Sequence, residues 1–215
     1  SNMIAILQAT SVNGVLAIAA TLVIITGGID LSVGTLMTFT AVTAGVVLTK
    51  LGMPLPLGVI AAIGMGAFCG LCSGTFIAKM KIPPFIATLG MMLILKGLSL
   101  VVSGTRPIYF NDTPGFDQIS RGSLIGEIIP AVPIPNGVLI LFIVALGASY
   151  ILGRTVLGRY TFALGSNEEA VRLSGVNTDR WKMAIYALAG GICGIAGILI
   201  ASRLNGPKPV IQVRP

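Results

Sequence analysis

The feature that most constrains this chain is the length of its uncharged apolar stretches. Positions 1–29 contain no Lys, Arg, Asp or Glu, and after Asp30 none occurs again until Lys50. A bilayer core about 30 Å thick needs roughly 20 mainly apolar residues per helix. Only 10% of all residues are charged, against about 25% in soluble domains, so the chain cannot cover a water-facing surface.

Six windows of suitable length and composition predict an all-α, polytopic membrane helical bundle. Helices are expected because a segment in lipid must satisfy its backbone hydrogen bonds internally. We expect a single transmembrane domain over residues 1–215, in contact with the lipid bilayer. The net charge of +7 comes from thinly spread basic residues, which excludes a nucleic-acid partner. The predicted spans are 4–26, 31–49, 55–78, 85–102, 137–152 and 183–202.

The distribution of Lys and Arg predicts the orientation, because these residues accumulate in cytoplasmic loops. The largest basic cluster, with five Arg and Lys residues, lies in segment 153–182 and is therefore placed in the cytoplasm. The turns at Asp30 and at 79–81 fall on the same side. Segment 103–136 and Lys50 then lie outside, as do both termini. We expect from this that both ends of the chain are cut.

Segment 153–182 predicts a short helix at 167–174, too short to span a membrane. Ser166 and Glu169 have the spacing of a capping box, and Gly175 fits a helix end that needs positive φ. Ala170, Val171 and Leu173 can face a partner or the bundle, whereas Glu168, Glu169 and Arg172 stay in water. A solvated connector and a docking helix for a cytoplasmic protein are both open. The residues concerned are Ser166, Asn167, Glu168, Glu169, Ala170, Arg172, Leu173, Ser174 and Gly175.

The sequence Gly27-Gly28-Ile29-Asp30-Leu31-Ser32 separates the first two spans. The glycines interrupt the first helix, and Asp30 is placed to cap the second by accepting N–H bonds at its positive end. The alternative is that Asp30 and Ser32 take part in gating or in contact with a partner.

Two polar residues lie inside predicted spans. Lys96, in the fourth span, faces either a bundle interior or aqueous path or extends to the outer interface, and both interpretations stay open. Asn13, in the first span, is expected to hydrogen-bond another helix, with contact to a hydroxyl-rich solute as the alternative.

Glycines at four-residue spacing predict closely packed helices. They are Gly66, Gly70 and Gly74 in the third span and Gly190 and Gly194 in the sixth. Cys69, Cys72 and Cys193 are interpreted as small buried residues. The chain has no His and no phosphate-binding loop of the GxxxxGK[ST] type, so we expect neither an enzyme nor a bound cofactor or metal.

Three stretches together resemble a known family. They are TLVIITGGIDLSVGTLM (21–37), KIPPFIATLGMMLILKGLSLVVSG (81–104) and LGRYTFALGSNEEAVRLSGVNTDRWKMAIYALAG (157–190). They are similar to the permease subunit of bacterial ABC importers for monosaccharides, of the ribose, xylose and galactose type.

This resemblance implies a multi-pass inner-membrane permease that pairs with a second permease copy, identical or related. A cytoplasmic ABC ATPase would bind ATP-Mg and receive helix 167–174 as the coupling helix, while a periplasmic solute-binding protein delivers the sugar. Members of the family usually have about ten spans of roughly 20 residues, so the chain is expected to be incomplete. An ABC permease for a nucleoside or a branched-chain amino acid is the alternative function, and a stand-alone secondary carrier is less favoured because no internal repeat is evident.

Overall fold

A computed structural model describes residues 2–110, 113–128 and 134–204. All regular secondary structure in these three ranges is helical. The helices are α1 (Asn2–Ile25), α2 (Val33–Gly45), α3 (Leu55–Ala78), α4 (Pro84–Ser103), α5 (Gln118–Arg121), α6 (Leu124–Ile128), α7 (Asn136–Arg154), α8 (Val156–Leu173) and α9 (Thr178–Leu204). A π-helical turn, Val46–Lys50, extends α2.

Six helices in the described ranges are long and apolar enough to cross a membrane, and they correspond one to one with the predicted spans. They are α1, α2 with its π-helical turn, α3, α4, α7 and α9. The prediction for α3 is correct to the residue. Helix α4 begins at Pro84, in the first helical turn, where the missing N–H of proline has no consequence. The chain is therefore a multi-pass α-helical membrane protein.

The largest difference from the predicted spans is at the start of α9. This helix begins at Thr178, five residues before the predicted start at 183. Asn177 caps it, because its Oδ1 accepts a hydrogen bond from the N–H of Arg180 at 3.0 Å. A hydropathy window excludes the charged first turn, so composition detects only the part of a helix that suits lipid.

Segment 153–182 is helical over most of its length, which corrects the prediction of a loop with one short helix. Only Thr155 separates α7 from α8, and its hydroxyl accepts a hydrogen bond from the N–H of Gly158 at 3.3 Å. Residues 156–166 combine apolar, charged and glycine residues without a clear helical period, so the sequence gives no strong signal for this helix.

The described residues between 110 and 120 are attached to the C-terminal end of α9. The rings of Phe110 and Phe116 are buried and stacked, with centroids 4.1 Å apart. The hydroxyl of Ser202 in α9 accepts a hydrogen bond from the N–H of Ser120 at 2.9 Å. Phe110, Phe116 and the short helix α5 therefore pack at this end of the bundle.

Helix α9 is the centre of the bundle. Within the described chain, 61% of its membrane-spanning part is buried, against 11–33% in the other five spans. Helices α1, α2, α3 and α8 all pack against it, α3 most extensively.

Glycines form the contact between α3 and α9. A Cβ atom at Gly66 would overlap the carbonyl oxygen of Gly190, and one at Gly70 would overlap the carbonyl oxygen of Tyr186. At Gly194 it would lie 2.7 Å from the Cα of Ile63. The two backbones are in direct contact along this seam, which confirms the prediction drawn from the spacing of small residues.

The three cysteines lie in this tightly packed region. Cys69 and Cys193 are buried, Cys72 is half-buried, and all three are free thiols. Among the residues that the structure describes, His, Cys, Asp and Glu form no group that could hold a metal ion.

The charged turns lie at two opposite ends of the bundle, as the sequence predicts. Lys81 Nζ lies 2.8 Å from Asp179 Oδ1, so the turn after α3 and the start of α9 share one end, which we call the basic end. At the opposite end, Lys50 Nζ donates a hydrogen bond to the carbonyl oxygen of Val102 at 3.1 Å. The cytoplasmic position of the basic end stays a prediction.

Candidate functional site

Helix α8 is kinked near its end, and the kink isolates the segment predicted as a docking helix. Asn167 has φ −159° and ψ 95°, and residues 168–173 continue as a separate helical segment. Asn167 Oδ1 accepts a hydrogen bond from the N–H of Ala170 at 3.0 Å. The prediction that Ser166 is the N-cap is therefore wrong. An N-cap needs extended backbone, and Asn167 has it, whereas Ser166 is the last helical residue before the kink.

The end of the 168–173 segment has the predicted glycine. Gly175 has φ +84° and donates its N–H to the carbonyl oxygen of Arg172 at 3.0 Å, while the N–H of Ser174 bonds to Ala170. Glu169 does not reach back to the N-terminus as a capping box requires. Instead its Oε1 lies 2.7 Å from Arg172 Nη2, and this hydrogen bond raises the pKa of Arg172 above its usual value.

The 168–173 segment presents an apolar side chain to the surroundings at the basic end. Leu173 is 80% exposed, and Ala170 is also exposed, while Val171 packs against the core. The segment thus combines one leucine without apolar cover with a pair of exposed charges, Glu169 and Arg172. A single exposed leucine is normal on a protein surface, so the docking helix and the solvated connector both stay predictions.

Three contacts hold α8 to its neighbours α9 and α1. Glu168 Oε2 lies 2.6 Å from Lys182 Nζ in α9, and the side chain of Lys182 is only 17% exposed. The side chain of Glu168 is 40% exposed, so it stays in contact with water as predicted while it pairs with Lys182. Nearer the start of α8, the ring of Tyr160 packs against the ring of Trp181 in α9, with centroids 4.7 Å apart. At Gly165 a Cβ atom would overlap the carbonyl oxygen of Ile25, so α8 touches the backbone at the end of α1.

Asp30 orders the turn between α1 and α2, but differently from the prediction. Its Oδ1 accepts hydrogen bonds from the N–H of Ser32 at 2.8 Å and from the Ser32 hydroxyl at 2.6 Å. Ser32 itself is the N-cap residue of α2, so Asp30 fixes the cap residue rather than the first helical turn. Buried Thr88 in α4 supports the same turn, because its hydroxyl accepts the N–H of Leu31 at 3.2 Å.

Asn13 and Lys96 both have exposed side chains and form no hydrogen bond or ion pair with the described part of the chain. The described helices of this chain give Asn13 no hydrogen-bond partner, so the expectation that it bonds another helix stays a prediction. The face of α1 that contacts the core carries Val12, Val15 and Ala19, and Asn13 points away from it.

The structure brings together some of the predicted residues and separates others. The 168–173 segment and the Asp30 turn share the basic end and are joined through Gly165 and Ile25. Asn13 lies twelve residues before Ile25 in α1, or about 18 Å along the helix. The predicted residues therefore form one cluster at the basic end and two isolated polar positions within spans.

Cavities are present between the helices of the described residues. One of about 470 Å³ lies between α2, α4, α9 and segment 106–110, with Thr38, Ser99 and Arg106 among its lining residues. Another, of about 440 Å³, lies between α1, α7 and α8 and is lined in part by Thr21 and Ser149. Asn13, Asp30, Ser32 and Lys96 line neither cavity.

Four residues at the basic end were not identified from the sequence: Thr88, Gly165, Lys182 and Tyr186. Tyr186 is buried in α9, and its hydroxyl has no hydrogen-bond partner among the described residues. It faces Gly28, where a Cβ atom would lie 2.6 Å from the hydroxyl oxygen. A glycine in a helical pattern can signal close backbone approach, so Gly165 could have been suspected. The other three act across long sequence separations that the pattern does not show.

Comparison with known proteins gives one family. A family model described as "Branched-chain amino acid transport system / permease component" matches residues 2–214. The ribose import permease protein RbsC of Escherichia coli (strain K12) is 41% identical over 210 residues, which are 97% of this chain and 64% of the relative. No solved structure matches the chain significantly.

Two further relatives carry sugar names. The fructose import permease protein FrcC of Rhizobium meliloti is 37% identical over 211 residues, or 96% of this chain and 58% of the relative. The xylose transport system permease protein XylH of Escherichia coli (strain K12) is 30% identical over 261 residues, or 97% and 66%. The chain thus spans 58–66% of the length of these three relatives.

Proposed function

The chain belongs to the branched-chain amino acid transport system / permease component family, and from this membership we propose that it acts as the membrane-spanning permease subunit of an ATP-driven importer. The six apolar helices form part of the membrane domain that such a subunit needs. A stand-alone secondary carrier is not favoured, because the family model describes a component of a larger transport system.

The proposed solute is a monosaccharide. Three relatives from 30% to 41% identical have names that refer to ribose, fructose and xylose. The family description itself mentions branched-chain amino acids, but these relatives favour a sugar over an amino acid or a nucleoside.

The observation that carries the proposal is the form of the 168–173 segment. It is short, capped at both ends, exposed at Leu173 and attached to α9 through Glu168 and Lys182. A segment that docks on a soluble motor must offer a surface and must also be fixed to the spans, because a loosely tethered segment would not transmit movement. This segment has both properties.

In the proposed assembly the basic end faces the cytoplasm of a bacterial cell, and the chain lies in the inner membrane. A partner ATPase binds ATP-Mg and receives the 168–173 segment, so this chain itself holds no cofactor. A second permease copy, identical or related, completes the pathway, and a periplasmic solute-binding protein delivers the sugar at the opposite end. Binding and hydrolysis of ATP would then alternate the access of the pathway between the two sides.

The test is a pull-down in mild detergent from cells that co-express the ATPase subunit of a ribose importer. The unaltered chain is compared with the double variant Glu169→Lys, Leu173→Asp. The matched control is Met80→Asp, which places the same acidic residue at another exposed apolar position of the basic end, outside the 168–173 segment. Uptake of labelled ribose, fructose and xylose, with leucine as the comparison, is measured in the same cells.

We expect the ATPase to be retained by the unaltered chain and by Met80→Asp, and to be lost from the double variant. Retention by all three chains would contradict the docking role of the segment. Retention by none would contradict membership of such an importer assembly. Uptake of leucine in preference to the three sugars would contradict the proposed solute class.

A further inference from the structure

The 168–173 segment is connected to the spans through a partly buried ion pair with α9. Lys182 Nζ lies 2.6 Å from Glu168 Oε2, and Lys182 is largely covered. Exposed ion pairs hold side chains weakly, but a largely buried charge that loses its partner is strongly unfavourable. A displacement of the segment therefore moves Lys182 and the first turns of α9 with it.

A second connection leads from α8 to the end of α1. Gly165, three residues before the segment, adjoins the carbonyl oxygen of Ile25, where any larger residue would overlap the backbone. Gly165 does not have positive φ, so the need for glycine is one of space. Because Ile25 is the last residue of α1, a shift of α8 reaches the turn at 26–32 directly.

The first turns of α9 contact the same turn. Tyr186 follows Lys182 by four residues and so lies on the same face of α9. Its buried hydroxyl faces Gly28 and has no hydrogen-bond partner among the described residues. A buried hydroxyl without a partner is unfavourable, so a shift of the turn that brings a carbonyl or the Asp30 carboxylate to this hydroxyl is favoured. A second position of the turn, in which the Tyr186 hydroxyl is hydrogen-bonded, is therefore energetically favoured.

We propose that the turn at 26–32 is the element through which movement of the 168–173 segment enters the spans. Lys182 and Gly165 are positioning residues for this movement, and Tyr186 stabilises the turn in its second position. The Asp30 and Thr88 hydrogen bonds connect the turn to α2 and α4, so its displacement reaches three spans at once. This inference rests on the proposed function, because it requires a motor that moves the segment.

The experiment measures amide hydrogen exchange in the complex of the full chain with the co-expressed ATPase, with and without a non-hydrolysable ATP analogue. The variants are Lys182→Met, which removes the ion pair, and Lys182→Arg, which keeps it. Asp179→Asn is the control, because it breaks a different ion pair of α9 at the same end. The turn at 51–54, at the opposite end of the bundle, is the internal reference.

With the analogue, we expect exchange at 26–32 to change about fivefold or more in the unaltered chain, in Lys182→Arg and in Asp179→Asn. The change should fall below about twofold in Lys182→Met although that variant still retains the ATPase. The reference turn should not respond in any of the four chains.

Two results would overturn the inference while the proposed function stands: an unaltered response of 26–32 in Lys182→Met, or no response of 26–32 in the unaltered complex. Loss of the response in both Lys182→Arg and Lys182→Met would also overturn it, because the ion pair would then not be what transmits the movement. Failure of the unaltered chain to retain the ATPase would instead overturn the proposed function, and the inference with it.

Discussion

Replacement of Gly66 by alanine tests the seam between α3 and α9. A Cβ atom there would overlap the carbonyl oxygen of Gly190 and lie 3.2 Å from the backbone nitrogen of Gly194. The same helix offers a matched control at Gly64, which is exposed and whose Cβ would meet no atom within 4 Å. The two substitutions add the same methyl group to the same helix, so they differ only in what that group contacts.

The expected difference in the free energy of unfolding follows from this geometry. To accommodate the new methyl group, α3 and α9 must separate by about 1 Å, and a gap of that size removes roughly a quarter to a half of the dispersion energy of each contact affected. Overpacking of a tight interface typically costs about 1–3 kcal/mol. Both substitutions gain about 0.5–1 kcal/mol from the lower backbone entropy of the unfolded chain, so this contribution cancels when they are compared. We therefore expect Gly66→Ala to be about 1–3 kcal/mol less stable than Gly64→Ala.

The measurement is reversible unfolding by titration with sodium dodecyl sulfate in mixed micelles, followed by circular dichroism. Gly190→Ala approaches the same contact from α9 and should give a loss similar to that of Gly66→Ala, because a Cβ there would overlap the carbonyl oxygen of Gly66. If Gly66→Ala unfolds at the same detergent fraction as Gly64→Ala, the two backbones are not in contact and the reasoning is refuted.

Two further substitutions test local hydrogen bonds. Asn167→Ala should remove the cap to Ala170, which costs about 1 kcal/mol, and should therefore speed amide exchange within 168–173. The control Ser166→Ala should leave that exchange unchanged. Equal effects of the two substitutions would contradict the position of the kink. Thr88→Val keeps the side-chain volume but removes the bond to Leu31, so exchange at the Leu31 amide should rise about fivefold, as expected for a loss of about 1 kcal/mol, and an unchanged rate would show that Thr88 does not support the turn.

The spans were predictable because hydropathy and length are summed over many residues. The boundaries of α3 agree to the residue, and the glycine spacing in α3 and α9 identified the two helices that are in closest contact. These signals are local or periodic, and lipid makes them strong, because a charged or unpaired backbone group inside the bilayer is so unfavourable.

The details of the basic end were not predictable in the same way. The capping-box spacing predicted Ser166 as the N-cap, but α8 kinks at Asn167, and Asn167 is therefore the N-cap. The contact between Glu168 and Lys182 joins two helices across an intervening turn. Such contacts are set by the mutual position of helices, and a single sequence shows no pattern for them.

The two polar positions within spans differ in a way that only the helix bounds reveal. Lys96 lies seven residues before the end of α4, about 10 Å along the axis, so much of that distance can be bridged by its long side chain. Asn13 lies near the middle of α1, where its short side chain cannot reach either interface. An amide in that place is stable only where water or another polar group reaches it. In the proposed assembly we therefore expect the second permease copy, or the solute pathway between the copies, to bring a polar group or water to Asn13.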